Sequence, residues 1–109
     1  MATLEDFQRL DMRVGKIIDV QDAETKKPMY VLKIDFGELG IKQAIAGIKP
    51  FYSKEELLNK KFVFVVNLEP KKIANILSEC MILAASNDDK ESVVILQPEK
   101  DIEIGSKVS

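Results

Sequence analysis

The chain has 109 residues, 46% of them hydrophobic and 31% charged, with a formal net charge of −2 and a single cysteine. With no histidine and only Cys80, the sequence excludes histidine- and cysteine-built zinc sites, Ser-His and Cys-His nucleophile pairs and any intrachain disulfide. No apolar run approaches the roughly 20 residues that span a bilayer, and Met1 to Leu10 carries Glu5 and Asp6 without the apolar core of a signal peptide, so a cytoplasmic protein with no membrane partner is expected.

The charge is unevenly spread. Residues 1–85 hold 13 Lys/Arg against 12 Asp/Glu, and residues 86–109 hold 3 against 6. The acidic tail sets the overall sign, so a local basic patch remains available to phosphates.

In chain order, Thr3 with Asp6 three residues on predicts a short capped helix, with Phe7 and Leu10 on one face. Such a helix is too short to stand alone and must pack on its own domain or on a partner. Met12 to Val20 reads as a strand whose alternation slips near Gly15, as at a bulge or a bend. Gln21 to Lys27 is a polar loop. Tyr30, Leu32, Ile34 and Phe36 alternate with Val31, Lys33 and Asp35, which predicts a half-buried strand with Lys33 outward. After the turn Gly37 to Gly40, Ile41 to Ile48 gives a third strand.

Pro50 ends that strand, and Ser53 with Glu56 is a capping box for a single short helix ending near Asn59. Phe62 to Leu68 is a largely buried strand. Glu69 to Glu79 follows no clear period. Met81 to Ala85 predicts a fifth strand, Asn87 to Glu91 a turn and Val93 to Leu96 a sixth strand. In the tail, Asp101 to Ser109, the alternation of Ile102 and Ile104 predicts pairing with a sheet edge.

Three strands, a helix and at least two more strands is the order of a five-stranded Greek-key OB-fold barrel, with the helix between strands 3 and 4. The reading is therefore all-β, one domain over 1–109, extended by an N-terminal helix and a C-terminal strand.

Three strings could carry chemistry. Asn67-Leu68-Glu69-Pro70-Lys71-Lys72-Ile73 is either a strand end with a solvated turn, the plainer reading, or a basic loop at the barrel mouth, where OB-folds take nucleic acid. Ser78-Glu79-Cys80-Met81 is either a strand start with a small buried cysteine, or a place where Ser78 donates to phosphate or base and Met81 supports a base. Arg13, Lys33 and Lys42, one from each of the first three strands, are either solubilising charge or supports on the binding face. Tyr30 and Phe36 fall on the core side, so base stacking is weakly provided for, which favours recognition of a folded RNA by shape and phosphates. Glu79 beside Cys80 disfavours a thiolate, and a structural cysteine is expected.

Together these strings resemble a known family: the tRNA-binding domain at the C-terminus of many methionyl-tRNA synthetases, found also in phenylalanyl-tRNA synthetase beta chains, in endothelial monocyte-activating polypeptide and as free-standing dimers. The similar stretches are Leu10 to Ile17, Ile34 to Gly37, Gln43 to Ile48, Tyr52 to Lys60, Asn67 to Ile73 and Ser78 to Ala85, within roughly residues 5–105. A sister branch is the CsaA-type export chaperone, which Gly40-Ile41-Lys42-Gln43 and the compact length resemble, whereas Ala46-Gly47-Ile48 and Asn67-Leu68, with Ser78 and Met81, resemble the synthetase branch more.

The resemblance implies a non-catalytic homodimer without a cofactor that binds tRNA, with an aminoacyl-tRNA synthetase as a further partner, or alternatively a protein-binding chaperone. It places tRNA contacts at Lys33, Asn67, Lys71, Lys72, Ser78 and Met81, supported by Arg13 and Lys42. It places the dimer interface at Phe7, Leu10, Ile102 and Ile104. The chain departs from the family's pattern at Glu24 to Pro28, where the synthetase branch has a His-Pro-x-Ala-Asp loop, and at Asn75 and Cys80, where glycines are usual. Asparagine tolerates a positive φ better than cysteine does.

Overall fold

The computed structural model describes residues 1–109. Helix α1, Leu4–Gln8, begins at the expected capping box: Thr3 Oγ1 accepts from Asp6 N at 3.1 Å, and Asp6 accepts from Thr3 N at 3.0 Å. None of its side chains is buried in the chain's own core.

Five strands make the barrel: β1 (Met12–Asp22), β2 (Tyr30–Asp35), β3 (Ile41–Ala46), β4 (Lys61–Val65) and, further along the chain, β7 (Met81–Ile82). They pair antiparallel in the order β3-β2-β1-β4-β7. Helix α2, Lys54–Leu57, lies between β3 and β4 in the chain, with Ser53 and Glu56 as a second capping box. It stops earlier than expected, because Leu58 is already extended and Asn59 takes a φ of 64°.

A short hairpin precedes β7: β5 (Lys71–Ile73) and β6 (Ile76–Ser78). Its exit brings the open edge of β3 towards β7. Glu79 N donates to Gln43 O at 2.7 Å, Gln43 N donates to a Glu79 carboxylate oxygen at 3.0 Å, and Ile45 N donates to Ser78 Oγ at 3.2 Å. The barrel is thus nearly closed, with two side chains completing a seam that the backbone ladder leaves open. The all-β barrel read from element order is the fold observed.

The core follows from the alternation. Ile17, Leu32, Ile34, Phe36, Leu57 and Phe64 are fully buried, and the Phe36 and Phe64 rings meet edge to face at 5.4 Å. Tyr30 and Phe36 lie in the core as expected. The Tyr30 hydroxyl donates to Tyr52 O at 2.8 Å, and the Tyr52 hydroxyl accepts from Ile95 N at 3.0 Å, which fastens the α2 approach to the C-terminal half.

Four further expectations are corrected. The β1 bulge falls between Ile17 and Asp19, not at Gly15. Gly15 answers a packing demand instead, since a Cβ there would sit 2.5 Å from both Ile34 Cγ2 and Phe36 Cε1. Gly15→Ala should therefore cost about 1–3 kcal/mol by overpacking, read as a lower urea midpoint with an unchanged slope. Second, β4 ends at Val65 rather than Leu68, because Asn67 turns the chain to bond Arg9 and Asp11. Third, the expected fifth strand divides at Leu83 into β7 and β8 (Ala84–Ser86). There the chain leaves β4 for β9 (Val93–Ile95). Fourth, Ile102 and Ile104 form no strand. Gly105 breaks the segment at a φ of 85°, and β10 (Lys107–Val108) pairs with Met12 and Arg13 of β1.

Candidate nucleic-acid interface

The stretch from Glu69 to Glu79, which has no clear period in sequence, proves to be the element that builds the site. Each hairpin strand is only three residues long, too short for alternation to register. Ala74 and Asn75 turn the hairpin with φ of 52° and 66°, the pair of positive angles that a type I′ turn needs. Asn75 stands there as a tolerated substitute for glycine. Cys80 does not take a positive φ. It enters the core at 5% exposure, so its side chain fills space that a glycine would leave empty.

The hairpin folds against β3 and leaves a groove of about 280 Å³ between them. Ile45, Leu68, Ile73, Cys80 and Met81 give it an apolar lining, and Lys71, Ser78, Glu69 and Glu79 supply the polar groups. Sequence alone does not single out Ile45. The available signal is its place on the outer face of β3 as an apolar residue between Ala44 and Ala46, which point inward. In the register, Ile45 pairs with Val31 and Gln43 pairs with Lys33, so Lys33 shares the outer face that leads to the groove.

The hairpin register separates the two lysines of the basic string. Lys71 stands opposite Ser78, on the groove side, and Lys72 stands opposite the exposed Leu77, on the other side. Both lysines are exposed. Met81 keeps 47% of its surface at the groove's edge.

Other residues expected to meet the RNA are spent on the fold. The Asn67 amide accepts from Asp11 N and donates to Arg9 O, both at 2.7 Å, and so anchors the end of α1. Ser78 Oγ accepts from Ile45 N and donates to Cys80 O at 3.3 Å, which makes it a seam residue that also lines the groove. Arg13 lies apart, in a cleft beside Phe36 and Gly105. Its guanidinium donates to the Asp11 carboxylate at 2.7 Å and to Gly105 O at 3.1 Å, tying the C-terminal segment to β1. Lys42 stands opposite Ile34 at the start of β3, near enough to Cys80 to act on its charge.

The Cys80 thiol is pushed up to about 12, chiefly by burial, with Lys42 opposing the rise and Glu79 adding to it. It is protonated at neutral pH and hidden. A disulfide reagent at pH 8 should leave it unlabelled in the folded protein and label it fully in denaturant. Cys80→Ala should cost about 1 kcal/mol through the lost burial.

Of the expected dimer residues, Phe7, Leu10 and Ile102 are exposed at 41%, 40% and 47%, and Ile104 is half-buried against Gly37. Leu4, one turn before Phe7, is 70% exposed. No helix is long and apolar enough to cross a membrane.

This geometry coincides with that of known proteins. The family model described as "Putative tRNA binding domain" matches residues 12–107. The chain is 48% identical over 104 residues to the methionine–tRNA ligase of Thermococcus onnurineus, a match over 95% of this chain and 14% of that protein. The chain thus spans about one seventh of the curated synthetases it matches. The CsaA chaperone protein from Picrophilus torridus superposes with a TM-score of 0.90 at 45% identity, covering 100% of both chains. A methionyl-tRNA-synthetase-related protein from Pyrococcus horikoshii superposes at 0.92 with 29% identity, over 100% of this chain and 98% of that one. The nearly closed barrel, the hairpin groove and the matched span agree: this chain belongs to the tRNA-binding domain family, related to the methionyl-tRNA synthetase C-terminal domain and to CsaA.

Proposed function

We propose that this chain binds tRNA without catalysing a reaction, acts as a homodimer in the cytoplasm, and holds the RNA by shape and phosphates at the hairpin groove. The observation that carries this reading is the convergence of Lys71 and Met81 on one groove, with Lys33 on the face leading to it. Lys33, Lys71 and Lys72 neutralise phosphates, with Lys42 as a support. Met81 offers an apolar edge to an unstacked base, and Ser78 holds the groove in shape through its bonds to Ile45 N and Cys80 O. Asn67 and Arg13 act through the scaffold, because their polar groups are already bonded. A methionyl-tRNA synthetase is the expected beneficiary, given the relation to its C-terminal domain.

The dimer reading is supported by an α1 that buries nothing in its own chain and yet exposes Leu4 and Phe7. A helix of one turn gains little from hydrogen bonding alone and needs a surface to lie on. Arg13 and the pairing of Met12 with Val108 keep the start of β1 and the C-terminal segment side by side, so both can contribute to one interface.

A protein-binding chaperone is the second reading. It is favoured by the full-length match to CsaA and by the apolar lining of the same groove. Titrating the protein with tRNA and, separately, with an unfolded apolar peptide tests the two. Saturable tRNA binding that the peptide does not compete away supports the first reading. Peptide binding with no tRNA binding overturns it in favour of the second.

A further inference from the structure

At the other end of β4 from the groove lies a second concavity, of about 510 Å³, between Lys16 on β1, the Asn59–Lys61 turn and the segment from Gln97 to Asp101. No hydrophobic residue lines it. Lys16, Lys60, Lys61 and Lys100 face Glu99 and Asp101 there. Lys16 and Lys61 are direct partners across the antiparallel β1–β4 pair. Like charges in that position destabilise a sheet.

Of the two, only Lys61 is in direct contact with a carboxylate: its Nζ donates to Asp101 at 2.8 Å and to Ile102 O at 2.7 Å, while Lys16 acts on the same Asp101 from further away. The ion pairs of the chain leave Lys16, Lys60 and Lys100 without one. Three ammonium groups outside any direct ion pair, carried by three separate segments, therefore converge on one polar bay in which four lysines outnumber two carboxylates. The lining has no aromatic ring on which a base could stack. The spread of the charges suits a run of phosphates rather than a single one, because each ammonium is a compact, strongly hydrated point charge.

The bay is also within reach of the groove. Val65 pairs with Met81, and Lys61 lies four residues back along β4, about 13 Å away at strand spacing. A folded RNA larger than this domain of 38 × 33 × 29 Å can meet both places.

We propose that the Lys16–Lys60–Lys100 bay is a second phosphate-binding surface, on which the ribose-phosphate backbone of the groove-bound tRNA rests separately. This depends on the tRNA reading above. Lys60 and Lys100, both exposed, meet the phosphates. Lys61 holds the Gln97–Asp101 segment in place, and Lys16 supplies half-buried charge beneath it.

The test is tRNA binding by the whole chain across a salt series. Lys60→Ala with Lys100→Ala removes no hydrogen bond or ion pair, and circular dichroism should match the unmodified protein. Each phosphate left unneutralised flattens the slope of log affinity against log salt by about 0.7–0.9, so the pair should flatten it by about 1.4–1.8. Lys60→Arg with Lys100→Arg should keep the original slope, since the charge is kept. If Lys71→Ala with Lys72→Ala flattens the slope while the Lys60/Lys100 alanine pair leaves it unchanged, the bay is overturned and the tRNA reading stands. No tRNA binding by the unmodified protein at low salt overturns both.

Discussion

Lys71→Ala combined with Lys72→Ala should weaken tRNA binding severalfold at moderate salt and flatten the salt dependence by about 1.4–1.8. The two lysines occupy opposite sides of β5, one towards the groove and one away from it, and where each meets its own phosphate the two single changes should each remove about half of that slope. Neither lysine forms an ion pair or a side-chain hydrogen bond, so the fold should be unaffected. Lys90, in the acidic turn before β9, is the control, and Lys90→Ala should leave affinity and slope as they were. Electrophoretic or fluorescence titration of each variant at four or five salt concentrations reads the result. An unchanged affinity in the double variant would move the RNA site away from the hairpin.

Leu4→Asp combined with Phe7→Asp should convert the proposed dimer to a monomer. Both side chains project from a helix that buries nothing in its own chain, so the change costs the isolated fold little. Across a dimer interface the same change buries two carboxylates per chain among apolar groups, a far larger cost. Sedimentation at micromolar concentration should give twice the chain mass for the unmodified protein and the single chain mass for the variant. Where one tRNA bridges both protomers, its apparent affinity should also fall by about 10²-fold or more as avidity disappears. A monomeric unmodified protein would remove the dimer and the avidity argument with it.

The parts legible from sequence are those where one residue type answers one local demand. Thr3–Asp6 and Ser53–Glu56 each bond backbone donors within one turn, so both helix starts are readable. Tyr30 to Phe36 alternates because one face of β2 is core, and the register follows. What cannot be read depends on partners distant in the chain. Asn67 ends β4 by bonding residues more than fifty positions away, and no local pattern announces that. Gly15 imitates a bulge because glycine inside a strand has two causes, and only Ile34 and Phe36 on the neighbouring strand decide between them. Ile102 and Ile104 imitate strand alternation over too few residues to outweigh the turn at Gly105.

The site divides in the same way. Lys71, Ser78 and Met81 are legible as two strings, and the hairpin brings them to one groove. Ile45, the apolar residue opposite them, belongs to a strand nearly thirty residues earlier and comes into the groove only through the β3–hairpin seam. The Lys16–Lys60–Lys100 bay draws on three separate stretches of the chain, each carrying ordinary surface lysines. Its charge becomes conspicuous only when strand pairing sets Lys16 against Lys61.

Whether the groove holds tRNA through its phosphates is decided by the salt dependence of binding to the unmodified protein. Four lysines in and around the groove, Lys71 within it and Lys33, Lys42 and Lys72 about it, predict a straight line of log affinity against log salt with a slope of about −3, steeper once the second bay contributes. A flat line, or no saturable binding of tRNA at low salt, would refute phosphate-led binding at the groove.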